Sequence, residues 1–153
     1  MSARALVAAA LVAVSGCGGD GANELRILAP VHVPLQLTTF ERETGCRPDV
    51  RIYDEGEDVR AISRRRNVDV VAADRATLVR LGAAVQRRTP YTVVKLARVE
   101  LRDGPTVTVP EELASAFDGR ATPAASRAFA WAILNAGPND DCARLWIRHV
   151  SAQ

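Results

Sequence analysis

Histidine is scarce in this chain, with only His32 and His149, and neither C-x-x-C nor H-E-x-x-H spacing occurs. A typical zinc site would need carboxylate or thiolate help that no motif supplies. There is no G-x-S-x-G elbow and no glycine-rich phosphate loop, and nothing in the sequence sets a nucleophile beside a base. These absences argue against an enzyme and imply neither a cofactor nor a metal. Charge of one sign is also missing. Twenty Lys and Arg against 18 Asp and Glu give a formal net charge of +2, which provides no strong field for nucleic acid. No apolar run is long enough to span a bilayer as a helix, which takes roughly 20 residues.

One short apolar run carries information all the same. Arg4 precedes Ala5 to Val14 (A-L-V-A-A-A-L-V-A-V), and the small residues Ser15 and Gly16 follow, as in an export signal. Val14-Ser15-Gly16-Cys17 resembles the lipobox of bacterial lipoproteins. That resemblance implies cleavage before Cys17, acylation of its thiol, and a chain lipid-anchored to the outer face of the cytoplasmic membrane. Several acyl chains hold a protein at a membrane where one binds only marginally. A plain secretory signal with a chance cysteine is the alternative. The expected organisation is a signal peptide over 1–16, a lipidated cysteine and flexible linker over 17–23, and one α/β domain over 24–153. Losing Arg4 leaves 19 basic against 18 acidic side chains, a formal charge of +1.

If Cys17 carries lipid, Cys46 and Cys142 remain as a pair in a compartment where disulfides persist. Bridged, they would close a loop of about 97 residues and stabilise the fold by roughly 4 to 5 kcal/mol on the chain-entropy model. Two separate buried thiols are the alternative.

Periodicity then orders the elements. Glu24 to Ala29 alternates as a strand does and stops at Pro30, and Asp49 to Tyr53 is a second alternating strand. Between them Val33, Leu37 and Phe40 recur at helical spacing, with Gly45 as the stop. Glu57 to Arg66 reads as a helix ending in three arginines, which suit the negative end of a helix dipole; an anion patch is the functional alternative. Val68 to Ala73 is a buried-type strand, and Thr77 to Val85 a helix through Leu78, Leu81 and Val85. This β-α-β-α-β-α order predicts a mainly parallel sheet covered by helices, a single three-layer α/β/α lobe. Further on, Tyr91 to Leu101 and Thr106 to Val109 read as strands. Pro110 opens an expected helix that faces Leu113 and Phe117 inward and closes at Gly119. Thr122-Pro123 opens another through Phe129 and Ile133, and Asn139-Asp140-Asp141 a last one lined by Ala143, Trp146, Ile147 and Val150.

Parallel sheets bind ligands at the carboxyl ends of their strands, and that rule selects the candidate binding groups. They are His32 after the first strand, Asp54 and Glu55 after the second, and Asp74, Arg75 and Thr77 after the third. Each has a bland alternative. Asp74 and Thr77 suit helix caps, Arg75 an exposed first turn, and His32 a satisfied loop position. Tyr53 suits packing as well as stacking on a ligand.

Several segments resemble type II extracellular solute-binding proteins of ABC importers, in the order that family has them. Glu24 to Pro30 followed by F-E-R-E-T-G (Phe40 to Gly45) is similar to its opening. V-D-V-V-A-A-D-R-A-T-L-V-R-L-G (Val68 to Gly82) is similar to the third strand and helix of molybdate-type binders, and I-Y-D-E-G-E-D-V (Ile52 to Val59) to polyamine-type members. Thr122 to Leu134 with Ala143 to Ile147 resembles the paired C-terminal helices that return to the first lobe. The resemblance implies a non-catalytic receptor whose partners are a small solute or a membrane permease. Family members are about twice as long and close two lobes on the ligand, so this chain matches about one lobe. Its Val31-His32 stands where the molybdate type places a serine, so no solute identity carries over. A degenerate lobe kept as a structural or protein-interaction lipoprotein is the second expectation.

Overall fold

Alternation of small and large apolar residues decides the architecture. In the computed structural model, which describes residues 23–135 and 137–153, the chain forms a mixed α/β fold around a seven-stranded sheet. Strand β1 (Glu24–Pro30) lies between β2 (Arg47–Tyr53) and β3 (Val70–Ala73), parallel to both, with Ile27 opposite Val50 on one side and Val70 on the other. Strand β7 (Gly119–Leu134) runs antiparallel beside β3, and the order is β2-β1-β3-β7-β5-β6. Strands β5 (Thr92–Leu101) and β6 (Thr106–Pro110) extend the sheet along the first half of β7, while the short β4 (Val85–Arg88) pairs with its last residues. The leader and Cys17 lie outside the described residues.

Among the described residues four α-helices accompany the sheet: α1 (Leu37–Thr44), α2 (Val59–Arg66), α3 (Arg75–Leu81) and α4 (Asp140–Ser151). Two cores result. Leu25, Ile27 and Ala29 of β1 pack with Phe40 of α1 and with Ala143, Trp146 and Ile147 of α4. Leu28 packs instead with Val59 of α2 and with Leu78 and Leu81 of α3. Aromatic residues are few, yet Phe40, Phe129, Trp131 and Trp146 share the first core, and Trp146 meets Phe40 and Trp131 edge-on, with centroids at 4.9 and 5.1 Å. Edge-to-face contacts of this kind add roughly 0.5 to 1.5 kcal/mol each beyond the area they bury.

The expected helix over Thr122 to Leu134 is instead the long strand β7. Phe129 to Leu134 is buried at all six positions, and the side chains divide with period two. Phe129, Trp131 and Ile133 enter the first core, and Ala130, Ala132 and Leu134 the second. A strand sandwiched between two cores buries both faces, so the apolar run carries no helical stripe. The resemblance to paired C-terminal helices fails there for the same reason. The expected helix after Pro110 is a 3-10 turn over Glu111–Ala116, with Leu113 48 % and Phe117 39 % exposed, not inward. Gly119 does not close it; it opens β7, where a Cβ would overlap the carbonyl of Glu100. The third helix stops at Leu81 because Gly82 turns the backbone to φ 52°, and Val85 begins β4.

Other sequence signals match their elements. Gly45 (φ 71°) ends α1, donating its N–H to the carbonyl of Glu41, and Asn139 caps α4 by accepting from the N–H of Cys142. Cys46 and Cys142 form a disulfide, with Cα atoms 6.0 Å apart, so the end of α1 is tied to the start of α4. The helix start is also tied to Asp69, which is 1 % exposed. Its carboxylate accepts the N–H of Arg26 at 2.8 Å and of Asn139 at 2.7 Å.

Two stability outcomes follow from these ties. Reducing the disulfide, or replacing both cysteines with serine, is expected to lower unfolding free energy in urea by up to about 4 to 5 kcal/mol, the chain-entropy value for so long a loop. An equal midpoint before and after reduction would contradict the bridge. Asp69→Ala strands two buried N–H donors and is expected to cost about 2 to 5 kcal/mol by the same measurement.

Candidate functional site

The carboxyl ends of β1, β2 and β3 open into a cavity of about 970 Å³. Pro30 and Pro34 bracket the first loop, which places His32 at its rim. The second loop, 54–58, brings four carboxylates, and Asp74 stands at the end of β3. The opposite wall comes from the antiparallel part of the sheet: Leu96 of β5, Thr108 of β6, and Arg127 and Phe129 of β7. The site therefore lies between the ends of the parallel strands and the strands that extend the sheet.

Most of the acids here serve their own loops. Asp58 accepts the N–H of Ala61 and Asp74 that of Thr77, so both cap helices. Glu57 accepts the N–H of Asp54 at 2.7 Å and pairs with Arg51 at 2.9 Å. The first of these bonds, helped by Arg51, holds its carboxyl below the usual range. For Asp74, burial pushes the carboxyl up, but the Thr77 N–H and hydroxyl, with Arg80 and Arg127, outweigh it and hold the group low. Both therefore stay ionised at neutral pH.

Glu55 behaves differently. Its carboxylate crosses to the opposite wall and pairs with Arg127. The side chains are 71 % and 47 % exposed, respectively, and exposed pairs of this sort are worth about 0.2 to 1 kcal/mol. His32 lies within the field of this pair. Burial lowers its pKa first and the Arg127 charge lowers it further, while Glu55 and Asp74 pull the other way. A neutral imidazole, able to donate and accept, results. Tyr53 donates its hydroxyl to the carbonyl of Ala72 at 2.9 Å, and burial pushes its pKa up, so its ring forms wall and its oxygen is already engaged.

Of the residues selected from the sequence, His32, Asp54, Glu55, Asp74 and Thr77 line one cavity. Arg75 does not. Its guanidinium lies over the ring of Tyr91, 5.6 Å from the centroid, and Arg88 lies over the same ring at 5.1 Å. Being at the first position of α3, Arg75 projects away from the strand ends, whereas Thr77 and Arg80 line the cavity. Sequence reasoning missed Arg127, Phe129 and Leu96. The large-small alternation F-A-W-A-I in 129–133 was the available signal, since it marks β7 as a strand and so brings its first half to the cavity. Among the described residues no group of three or more His, Cys, Asp and Glu is placed to hold a metal ion, and no helix is long and apolar enough to cross a membrane.

No protein-family model matches the chain, and no curated protein matches it. Among solved structures it is similar to the full-length AphB N100E variant, at 11 % identity and a TM-score of 0.44, over 87 % of this chain and 69 % of that one. A likeness at that score carries no argument about fold or function.

The electrostatics of the cavity can be read at His32. Its titration by NMR is expected to have a midpoint below the ordinary histidine value of about 6.5. Arg127→Gln removes a cation and raises that midpoint; Glu55→Gln removes an anion and lowers it. Unfolded chains then take up the proton first as pH falls, so His32 subtracts from stability from about pH 6.5 downward. A midpoint at or above 6.5 in the wild type would contradict the burial of the ring.

Proposed function

We propose that the protein is a lipid-anchored extracytoplasmic solute-binding protein reduced to one lobe, serving an ABC-type importer by non-catalytic binding. The observation that carries this reading is the cavity at the carboxyl ends of β1, β2 and β3, where His32, Asp54 and Glu55 converge with Arg127. Open α/β sheets bind their ligands at that end. The sequence resemblance to type II solute-binding proteins and the lipobox-like segment at Cys17 supply the transport context and the anchor. Packing of α1 and α4 in one core and α2 and α3 in the other supports a three-layer lobe.

In this reading β5, β6 and the first half of β7 stand where a two-lobed receptor has its second lobe. Apolar walls from Tyr53, Leu81, Leu96 and Phe129 exclude water, and the polar rim orients the solute. With no clamshell to close, bound solute keeps more of its surface in water than in a two-lobed receptor, so affinity is modest.

A melting-temperature screen with polyamines, oxyanions, carboxylates, amino acids and sugars tests the binding half. A true solute at a hundred times its Kd stabilises by about 2.7 kcal/mol, which for a domain of this size means a rise of about 5 to 10 °C. No shift with any class would remove the receptor reading. It would favour the second one, a protein-interaction lipoprotein, for which Val93, Leu113 and Phe117 offer exposed apolar contacts. Fractionation tests the anchor: Cys17→Ser is expected to move the protein from membranes to the soluble fraction, and an unchanged distribution would rule out lipidation at that residue.

A further inference from the structure

The cavity wall mixes acids and arginines, and the way each is held separates structural groups from ligand-facing ones. Glu57, Asp58 and Asp74 accept backbone N–H groups of their own loops. The formal excess of acids in the lining therefore overstates the negative field that a solute meets. Arg80 donates to the hydroxyl of Thr77 at 3.1 Å. Arg127 alone among the cavity's arginines is mounted on a strand of the opposite wall, and among the described residues Glu55 is its ion-pair partner.

We propose that Arg127 is the anchor for a carboxylate-bearing solute, and that Glu55 holds the same position as a displaceable internal stand-in. The proposal rests on the cavity being a solute site, and it adds the class of solute and the group that competes with it. Three features point this way. The two partners differ in how firmly they are held: Arg127 sits in a paired strand opposite Val94, next to a register shift of β5, whereas Glu55 lies on a loop beside Gly56, whose φ is 95°. Release of the pair moves the loop side and leaves the guanidinium in place. A guanidinium presents a planar fork suited to two carboxylate oxygens, and the carboxylate of Glu55 already occupies one arm of it, at Nη1. Finally, His32 beside the pair can add a hydrogen bond to a bound carboxylate without contributing a charge of its own.

A cationic solute meets the opposite situation. It would have to take Glu55 from Arg127 and lie between Arg60, Arg80 and an unpaired Arg127, all of which line the cavity.

The test is titration calorimetry of the full chain with succinate, citrate and a panel of hydroxy and amino acids, beside spermidine and glucose. At least one carboxylate is expected to bind, with a matching upward move of the His32 titration as the anion offsets Arg127. Arg127→Gln is expected to weaken that binding at least tenfold at an unchanged melting temperature, and Arg127→Lys to restore part of it. Glu55→Gln is expected to tighten it about two- to fivefold, the range set by the strength of an exposed pair. Asp54→Asn removes an equal charge that does not touch Arg127, and is expected to tighten binding by less. Equal tightening by both variants, or none in Glu55→Gln, overturns the stand-in. Binding of spermidine or glucose with no carboxylate bound overturns the anion anchor and leaves the solute site standing, whereas no binding by any class overturns both.

Discussion

The buried carboxylate of Asp69 is the constraint on which the other elements depend. It precedes β3, accepts the N–H of Arg26 in β1 and that of Asn139, and its own backbone bonds both Arg26 and Leu134. One residue therefore joins β1, β3, the end of β7 and the start of α4. Burial pushes its carboxyl up while two N–H groups favour the charged form, and losing the carboxylate would take from those donors the acceptor they have. The chain closes so tightly over it that a Cβ at Gly137 would lie 2.6 Å from its Oδ1. Asn139, fixed by this contact, caps α4 and donates from its side chain to the carbonyl of Glu24.

From that junction the position of Trp146 follows. A helix started at Asn139 brings Cys142 to the disulfide and Trp146, one turn later, onto Phe40 and Trp131. The disulfide and the aromatic contacts act on the same helix, so the apolar core and the covalent tie reinforce one arrangement. Strand β7 then links this core to the cavity. Its second half is buried between the two cores, and its first half runs out beyond β3, where β5 pairs it. Arg127 stands at the changeover, two residues before buried Phe129.

Local signals in the first half of the chain were strong enough to be read directly. Alternation marked β1 and β2, Gly45 and Asp74 marked helix ends, and the cysteine count made Cys46 and Cys142 a candidate pair that the disulfide bears out. Those elements obey short-range rules, and the parallel order placed His32, Asp54 and Glu55 at one end of the sheet. The second half was misread where local preference and burial disagree. Thr122-Pro123 is a good helix start and alanine a good helix former, yet Phe129 to Leu134 lies between two cores and tertiary packing sets its conformation. Missing that strand concealed Arg127, because a residue reaches the cavity from β7 only if β7 is extended. Arg75 erred the other way. Proximity in sequence to the end of β3 was right, but helical rotation turns the first residue of α3 toward Tyr91.

Stiffness and freedom are distributed unequally along the sheet. At the amino ends of β1, β2 and β3 lie Asp69, the Cys46–Cys142 bridge, and the bond from Arg47 N–H to the carbonyl of Asn23. At the carboxyl ends the backbone leaves the sheet in loops held by helix caps and by Glu57, and the ion pair that Glu55 makes across the cavity is exposed and of small worth. Local opening is drawn from the least stable contacts of a fold, and the Glu55–Arg127 pair is exposed and outside both cores. A scaffold that fixes its guanidinium on a strand and its competing carboxylate on a loop can exchange one carboxylate for another at low cost. The same unequal anchoring that stabilises the amino end thus makes the carboxyl end suited to reversible binding.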